Sequence, residues 1–395
     1  MKYAIVLPDG AADEPVEALG GVTPLEAAKK PNMDWVASHG RQGCVVTVPR
    51  EFAPHSDVAT LSLLGYDPRV DYSGRAPLEA SARGIVAQAD ELIFRCNFVT
   101  IVNGVMADYT AGHLSQVEAD RLIHDLNHAL AKRGCRFFSG VSYRNLMIAA
   151  DASGMDLQST PPHDIPDRPV ADHWPRGAGT DRVRAIMEEA RSLLNGHEVN
   201  LVRRDLGENP ATDIWLWGQG RSKTLDPFAS RFGIRGAAIA AVDLIRGIAR
   251  SIGMDVLDVA GATGYLDTDY AAKGAAATAV LAEYDLVVVH IEAPDEAGHL
   301  GDAKAKVKAI EQIDECIVGP LLETLRRSDE WRILISPDHP TPVARRVHTS
   351  IPPPFCMAGH RVHGVVRASF SEAAAARSDL RIDPGHELME YFLRS

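Results

Sequence analysis

Asp295 and His299 stand four residues apart in DEAGH, a spacing that puts both side chains on one face of a helical turn, close enough to share a cation. Asp338-His339 follows the apolar run RILI, His348 lies nine residues beyond His339, and Asp9-Gly10 follows the apolar run YAIVL. Carboxylate and imidazole donors without thiolate suit Mn²⁺, Zn²⁺ or Mg²⁺. An Asp after a strand is more often a turn or helix cap than a ligand, and a lone His such as His348 is more often a surface or core residue. Three Asp-bearing junctions in one chain, two of them with histidine beside or near the Asp, point to a metal site. Ser56 offers a nucleophile. The stretch PHSDVATLSLLG (54–65) reads as a loop running into a helix, with Ser56 at or near the N-cap. Capping alone explains a serine there. The same geometry also draws phosphate to the helix N-terminus, and a metal beside the hydroxyl would lower its pKa.

These residues need elements to bring them together. The runs 3–7, 285–291 and 332–335 are continuously apolar, as in strands buried on both faces of a mainly parallel sheet. Each is followed by an Asp, and ligands of open α/β sheets gather at the carboxyl ends of the strands. Crossover helices are expected at 23–39, 236–252, 268–284 and 303–328, the first entered through Thr23-Pro24-Leu25-Glu26. This alternation predicts a doubly wound α/β core. The middle of the chain reads differently. It has short strand-like runs (LIFRCNFVTIV, VMADYTA, RFFSGVSYRNLMIA), one clear helix over 115–133, and a polar Pro-rich stretch at 159–169. We expect an inserted α+β subdomain at 84–172, with the core formed by 1–83 and 173–395.

With 395 residues, 46% hydrophobic and 24% charged, the chain suits one large globular domain carrying a second. The net charge of −12, from 41 basic and 53 acidic residues, argues against nucleic-acid binding, but a local basic or metal pocket can still hold a small anion. The N-terminal apolar run is too short for a secretory signal or a membrane span. The five cysteines, Cys44, Cys96, Cys135, Cys316 and Cys356, contain no CxxC pair, so neither a disulfide framework nor a thiolate zinc site is expected, and the cytoplasm is the default compartment.

Taken in order, Asp-Gly near the N-terminus, Ser-Asp opening a helix, Asp-x-x-x-His, Asp-His and a later His resemble the alkaline phosphatase superfamily. The chain is most similar to the archaeal-type, 2,3-bisphosphoglycerate-independent phosphoglycerate mutases. The resemblance runs through TPLEAAKKPNMDWVASHG (23–40), SDVATLSLLGYDP (56–68), YSGRAPLEA (72–80), FRCNF (94–98), ATGYLDTDYAAK (262–273), HIEAPDEAGHLGD (290–302) and SPDHPTP (336–342). It implies an alkaline-phosphatase-like sheet and two divalent metal ions, one on Asp295, His299 and His348, the other on Asp9, Asp338, His339 and the Ser56 oxygen. It further implies interconversion of 3- and 2-phosphoglycerate in glycolysis and gluconeogenesis through phosphoserine at Ser56, with no 2,3-bisphosphoglycerate required.

Arg and Lys would grip the substrate carboxylate, and Arg144, Arg203, Arg204, Arg235 and Lys273 are candidates. His113, His163 and Asp164 belong to the insertion, which would close over the substrate and exclude water. The expected partner is a small phosphorylated hydroxy acid rather than nucleic acid or membrane, and a homo-oligomer is left open. Three alternatives stay beside this reading. A homoserine kinase or phosphotransferase of the same family would keep Ser56 and the metals. A plain phosphomonoesterase should lack the long insertion. A non-catalytic binding protein should have lost at least one of the seven ligands.

Overall fold

The three apolar runs that carry the aspartates become neighbouring parallel strands, with Lys2–Pro8 between Leu286–Ile291 and Trp331–Ile335. Every residue of Leu286–Ile291 and all but the first of Lys2–Pro8 are buried, as continuous apolar sequence demands. Register then aligns the chemistry. Pro8 pairs with Ile291 and Val6 with Ile335, so Asp9 emerges level with Glu292 on one side and with Asp338 on the other.

The computed structural model describes residues 1–365 and 367–394. It divides into two compact units, Met1–Tyr72 with Leu225–Ser395, and Ser73–Thr224. The first unit holds an eight-stranded sheet in the order Asp255–Leu257, Gly236–Ile239, Leu286–Ile291, Lys2–Pro8, Trp331–Ile335, Pro354–Gly359, Arg41–Val45, Arg381–Ile382. Only Pro354–Gly359 runs against its neighbours. This is the mainly parallel α/β core that the sequence predicts.

The crossover helices depart from expectation where a residue type interrupts them. Of 236–252, Gly236–Ile239 is a buried sheet strand, and the helix is confined to Asp243–Ser251. The short side chains of GAAI let that strand lie between two others with its four residues buried. The 23–39 stretch is two helices, Pro24–Ala27 and Pro31–His39, because Pro31 starts afresh at a first-turn position. Within 303–328 the helices Ala303–Ile313 and Gly319–Leu325 flank a π-helical turn, Asp314–Val318. Pro320 has no N–H to give the Cys316 carbonyl, so the backbone widens there. A Cβ on Gly274 would sit 1.9 Å from that carbonyl, so only glycine lets the Tyr270–Val280 helix approach it. Asp314 in the same turn closes the N-terminus of Pro31–His39. Its carboxylate accepts from the backbone N–H of Met33 (2.7 Å) and Asn32 (3.2 Å) and from the Asn32 side chain (2.9 Å).

The second unit is wider than the expected 84–172. Its antiparallel sheet centres on Leu92–Val102, paired with Val105–Asp108, Arg144–Ala149 and Asp213–Gly220, with Cys135–Val141 beyond Arg144–Ala149. Besides Asp213–Gly220, helical segments on both sides of that range are bound into it. The Arg75–Ala82 helix sets Ala76 and Ala80 against Ile93, Leu146 and Ile148. The Thr180–Gly196 helix adds Val183, Ile186, Met187, Ala190 and Leu194 to the core that holds Ile214 and Trp215. The 115–133 helix forms as Gln116–Leu130 with a Ser115–Glu118 capping box and a short 3-10 turn after it. Among the described residues, no helix is long and apolar enough to cross a membrane.

Asp314→Ala leaves two backbone donors of a helix start without an acceptor. We expect a loss of about 1–3 kcal/mol, read as a lower urea midpoint with an unchanged slope.

Candidate metal centre and nucleophile

Asp295 and His299 lie on the Ala293–Leu300 helix, and His348 comes in from the loop after Trp331–Ile335. Asp295 Oδ2 is 3.2 Å from His299 Nε2, Asp295 Oδ1 is 3.4 Å from His348 Nε2, and the two Nε2 atoms face each other at 2.9 Å. Their other ring nitrogens are committed to the backbone: His299 Nδ1 to the Arg346 carbonyl (3.0 Å) and His348 Nδ1 to the Pro54 carbonyl (2.7 Å). A carbonyl only accepts, so both Nδ1 atoms carry a proton, and both Nε2 atoms are turned to one spot, where their lone pairs become available once a cation replaces their bonds to Asp295. Two lone pairs and a carboxylate converging in this way make a cation pocket, with the outer hydrogen bonds fixing the tautomer.

The second pocket gathers Asp9, Asp338 and His339, all fully buried. His339 Nε2 lies 3.5 Å from Asp9 Oδ1 and 3.4 Å from Asp338 Oδ2. Both oxygens of Asp9 and Oδ2 of Asp338 are buried without a hydrogen-bond donor. Burying carboxylate oxygens with no donor is costly, and a divalent cation removes that cost. Asp338 Oδ1 is used locally, accepting from Gly10 N (3.1 Å) and His339 N (2.8 Å). Gly10 itself is obligatory: its φ is +61°, and a Cβ there would lie 2.5 Å from Asp295 Oδ1.

Ser56 is the first residue of the Ser56–Leu63 helix rather than its cap; His55 holds the cap position without a side-chain cap bond, and in the first turn Val58 N donates to Asp57 Oδ1 (2.9 Å). The Ser56 hydroxyl lies 3.1 Å from His339 Nε2. The cap role that would explain a serine here without chemistry is therefore absent, and the hydroxyl is turned to the second pocket.

Charge in this region is unbalanced. Burial, then Asp338, Glu292 and Asp295, push Asp9 well above the usual carboxylate range. Burial likewise raises Glu292 to about 8, with Asp295 adding to it, and lowers His290 to about 4. Asp295 goes the other way: burial raises it, but hydrogen bonds from His299 and His348 outweigh this and hold it well below its usual range. Glu292 and His290 were not singled out in the sequence. Their ligand atoms form a third group with Asp9, and His290 Nε2 is 3.0 Å from Asp9 Oδ2 without the angle of a hydrogen bond. Lys273 is buried beside them, its ammonium 3.3 Å from the His290 carbonyl and lowered to about 8 by burial.

In the second unit, strand register builds a different surface. Arg95 pairs with Trp217 and Asn97 with Arg144 across the sheet. The Arg95 guanidinium lies 4.2 Å over the Trp217 ring, and the His163 ring meets the same indole edge-on at 5.2 Å. Arg95 Nε (3.0 Å) and Arg75 Nε (3.2 Å) share the Glu79 carboxylate. Arg144 lies over Tyr143, which His113 also touches, and forms no ion pair among the described residues. Burial lowers Arg95 to about 10; Glu79 favours its charge, while Arg75 and Arg144 are close enough to disfavour it, so three guanidinium groups gather around one carboxylate here. Asp164 is 3.8 Å from His163 Nε2. Arg144, His113 and His163, candidates from the sequence, lie in this region with Arg75, Arg95 and Trp217, which strand pairing and the Arg75–Ala82 helix bring beside them. GRAPLEA and FRCNF were read only as motif matches.

Three other basic candidates are not brought to either place. Arg235 precedes Gly236–Ile239, at the opposite end of the sheet from the ligands, and stacks 4.3 Å from the Tyr284 ring. Arg203 is buried between Glu118 and Glu208 and donates to the Gly112 and Asn209 carbonyls, a brace within the second unit. Arg204 bonds Asn195 on its surface.

The sequence profile of the 2,3-bisphosphoglycerate-independent phosphoglycerate mutases matches residues 37–200. The chain is 47% identical over 394 residues to the mutase of that name from Methanothrix thermoacetophila, covering 100% of both chains. The chain belongs to the 2,3-bisphosphoglycerate-independent phosphoglycerate mutase family, a family of isomerases. A further member, from Methanosarcina mazei, is 48% identical over 358 residues, 90% of each chain. Among solved structures, the fold is similar to the cofactor-independent phosphoglycerate mutase of Thermoplasma acidophilum (TM-score 0.68, 27% identity, 100% and 99% of the two chains). It is also similar to a protein of Pyrococcus horikoshii (TM-score 0.83, 29% identity, 99% and 96%).

For this mutase-family chain, added Mn²⁺ should raise the melting temperature, by about 2.7 kcal/mol of stability per site at a hundredfold excess over Kd. Asp9→Asn should act in two directions. Relief of carboxylate repulsion stabilises the metal-free protein, while the Mn²⁺-dependent gain shrinks; paired melting curves with and without Mn²⁺ read both.

Proposed function

We propose that this chain interconverts 3-phosphoglycerate and 2-phosphoglycerate without 2,3-bisphosphoglycerate, in the cytoplasm, using Ser56 as nucleophile. The observation that carries this is the Ser56 hydroxyl, free of capping duty and held against His339 beside the orphaned oxygens of Asp9 and Asp338. Asp295, His299 and His348 would hold one divalent cation, and Asp9, Asp338, His339 and the Ser56 oxygen a second. When bound, such cations neutralise charge on the transferring oxygens and favour the ionised hydroxyl.

Ser56 Oγ gives up its proton and attacks phosphorus as the bond from phosphorus to the substrate 3-oxygen breaks; the leaving 3-oxygen takes up a proton in exchange, leaving phosphoserine and glycerate. The reoriented glycerate 2-oxygen then attacks phosphorus, Oγ leaves, and Ser56 is restored. Backbone N–H groups at the start of Ser56–Leu63 face this end of the helix and suit a phosphoryl group. Lys273 supplies a buried cation for the same charge. The surplus positive surface of Arg75, Arg95 and Arg144, with His113, His163 and Asp164 around it, has the chemistry to grip a carboxylate.

An enolase-coupled assay on Mn²⁺-loaded protein, with 3-phosphoglycerate and no bisphosphoglycerate, tests the reaction. We expect turnover that falls to background in Ser56→Ala and with chelator. Metal-loaded protein without turnover would overturn the mutase reading and make homoserine with a phosphate donor the next substrate to try.

Arg144→Met tests the grip. Loss of one charge-assisted contact, about 1.5–3 kcal/mol, should raise KM for 3-phosphoglycerate about tenfold or more with an unchanged melting temperature. An unaltered KM would remove Arg144 from substrate binding.

A further inference from the structure

Lys306 is fully buried, an unusual place for an ammonium, and lies outside both pockets. Its three hydrogen bonds go to Asp13 Oδ2 (2.7 Å), the Thr341 carbonyl (2.8 Å) and the Ala12 carbonyl (3.3 Å). Asp13 in turn accepts from Val343 N, 3.2 Å from Oδ2. One ion pair thus ties the loop that follows Asp9 to the loop that follows His339. Lys306 stands on the Ala303–Ile313 helix, which follows the Asp295- and His299-bearing helix after a single left-handed turn at Gly301. All three ligand-bearing segments therefore meet at this ammonium.

Thr341 extends the connection. Its hydroxyl donates to Asp295 Oδ1, which leaves its oxygen to accept from His339 Nδ1 at 3.3 Å. That acceptor fixes the proton on Nδ1 and turns the His339 Nε2 lone pair toward Asp9 and Ser56. A Cβ on Gly298 would lie 2.4 Å from the Thr341 carbonyl, so the Asp295 helix is packed directly on the same residue.

We propose that Lys306, through Asp13 and Thr341, is a positioning residue that sets the two cation pockets at once; the inference rests on the two-cation reading above. The three carboxylates Asp9, Asp295 and Asp338 repel one another before cations arrive, and the brace holds their backbones together against that repulsion. Charge and positioning make opposite claims about Lys306. A buried ammonium acting only through its field would weaken cation binding, so removing it would tighten binding. A brace, once removed, lets the ligands separate and binding weakens.

Mn²⁺ titration followed by EPR, at a temperature where circular dichroism shows each variant folded, separates the two. Lys306→Met combined with Asp13→Asn removes the ion pair without leaving a lone buried charge. We expect both Mn²⁺ ions to bind at least tenfold more weakly. Unchanged or tighter binding overturns the proposal. Should that double variant fail to fold, Thr341→Val decides: it keeps shape and loses the hydroxyl, and should weaken Mn²⁺ binding at least tenfold, whereas unchanged affinity overturns the proposal. Wild-type protein that binds no Mn²⁺ would overturn the two-cation reading itself and this inference with it, a result distinct from a tight-binding variant.

Discussion

Like charges held close together in a buried space set the terms for the rest of the first unit. Asp9, Asp295, Asp338 and Glu292 converge where three strands end; burial and the neighbouring carboxylates push Asp9 and Glu292 upward, while hydrogen bonds from two histidines hold Asp295 low. Two carboxylates about 4 Å apart repel by roughly 4 kcal/mol at an effective dielectric near 20. Left to themselves, loops bearing such residues would part. They are kept together because each leaves a strand whose neighbours are fixed by register: Pro8 against Ile291, Val6 against Ile335. The apolar side chains of those strands and the helices packed on them supply the cohesion. The sheet in effect stores an arrangement of charge that a divalent cation then relieves.

The same constraint explains why glycine and small residues recur around the pockets. Ligand-bearing segments must approach to within hydrogen-bonding distance, and at Gly10 and Gly298 a single added Cβ would collide with Asp295 or Thr341. At Gly274 the requirement is one layer further out. The glycine seats the helix that carries Lys273 against the carbonyl of Cys316, which the π-helical turn leaves exposed. Backbone irregularities here coincide with the placing of a charged side chain.

Much of the first unit was legible in sequence because its signals are local. A run such as LVVVHI announces a strand buried on both faces, and the Asp after it announces where that strand ends. Asp295 and His299 share a helical turn and were readable from spacing alone. Two things were not. Gly236–Ile239 is apolar and alanine-rich, so periodicity does not separate a short buried strand from the start of a helix, and the sheet decides. His290 and Glu292 lie in plain sight in HIEAPDEAGH, but their relation to Asp9 depends on two strands separated by nearly three hundred residues.

In the second unit the same reasoning shows why its polar surface escaped notice. Arg95 meets Trp217, and Asn97 faces Arg144, only because antiparallel strands adopt one register and not the next. A shift of one residue would send these side chains to the opposite face. Arg75 adds a further dependence, since it reaches Glu79 and the indole from a helix laid over that face. Contacts of this kind are properties of pairings across long loops, and no local pattern encodes them. A residue such as Arg235, by contrast, is a ligand candidate in sequence, yet it precedes a strand that sequence does not reveal. Direction along a parallel sheet, which sequence shows only once the strand itself is correctly identified, separates the end that gathers ligands from the end that does not.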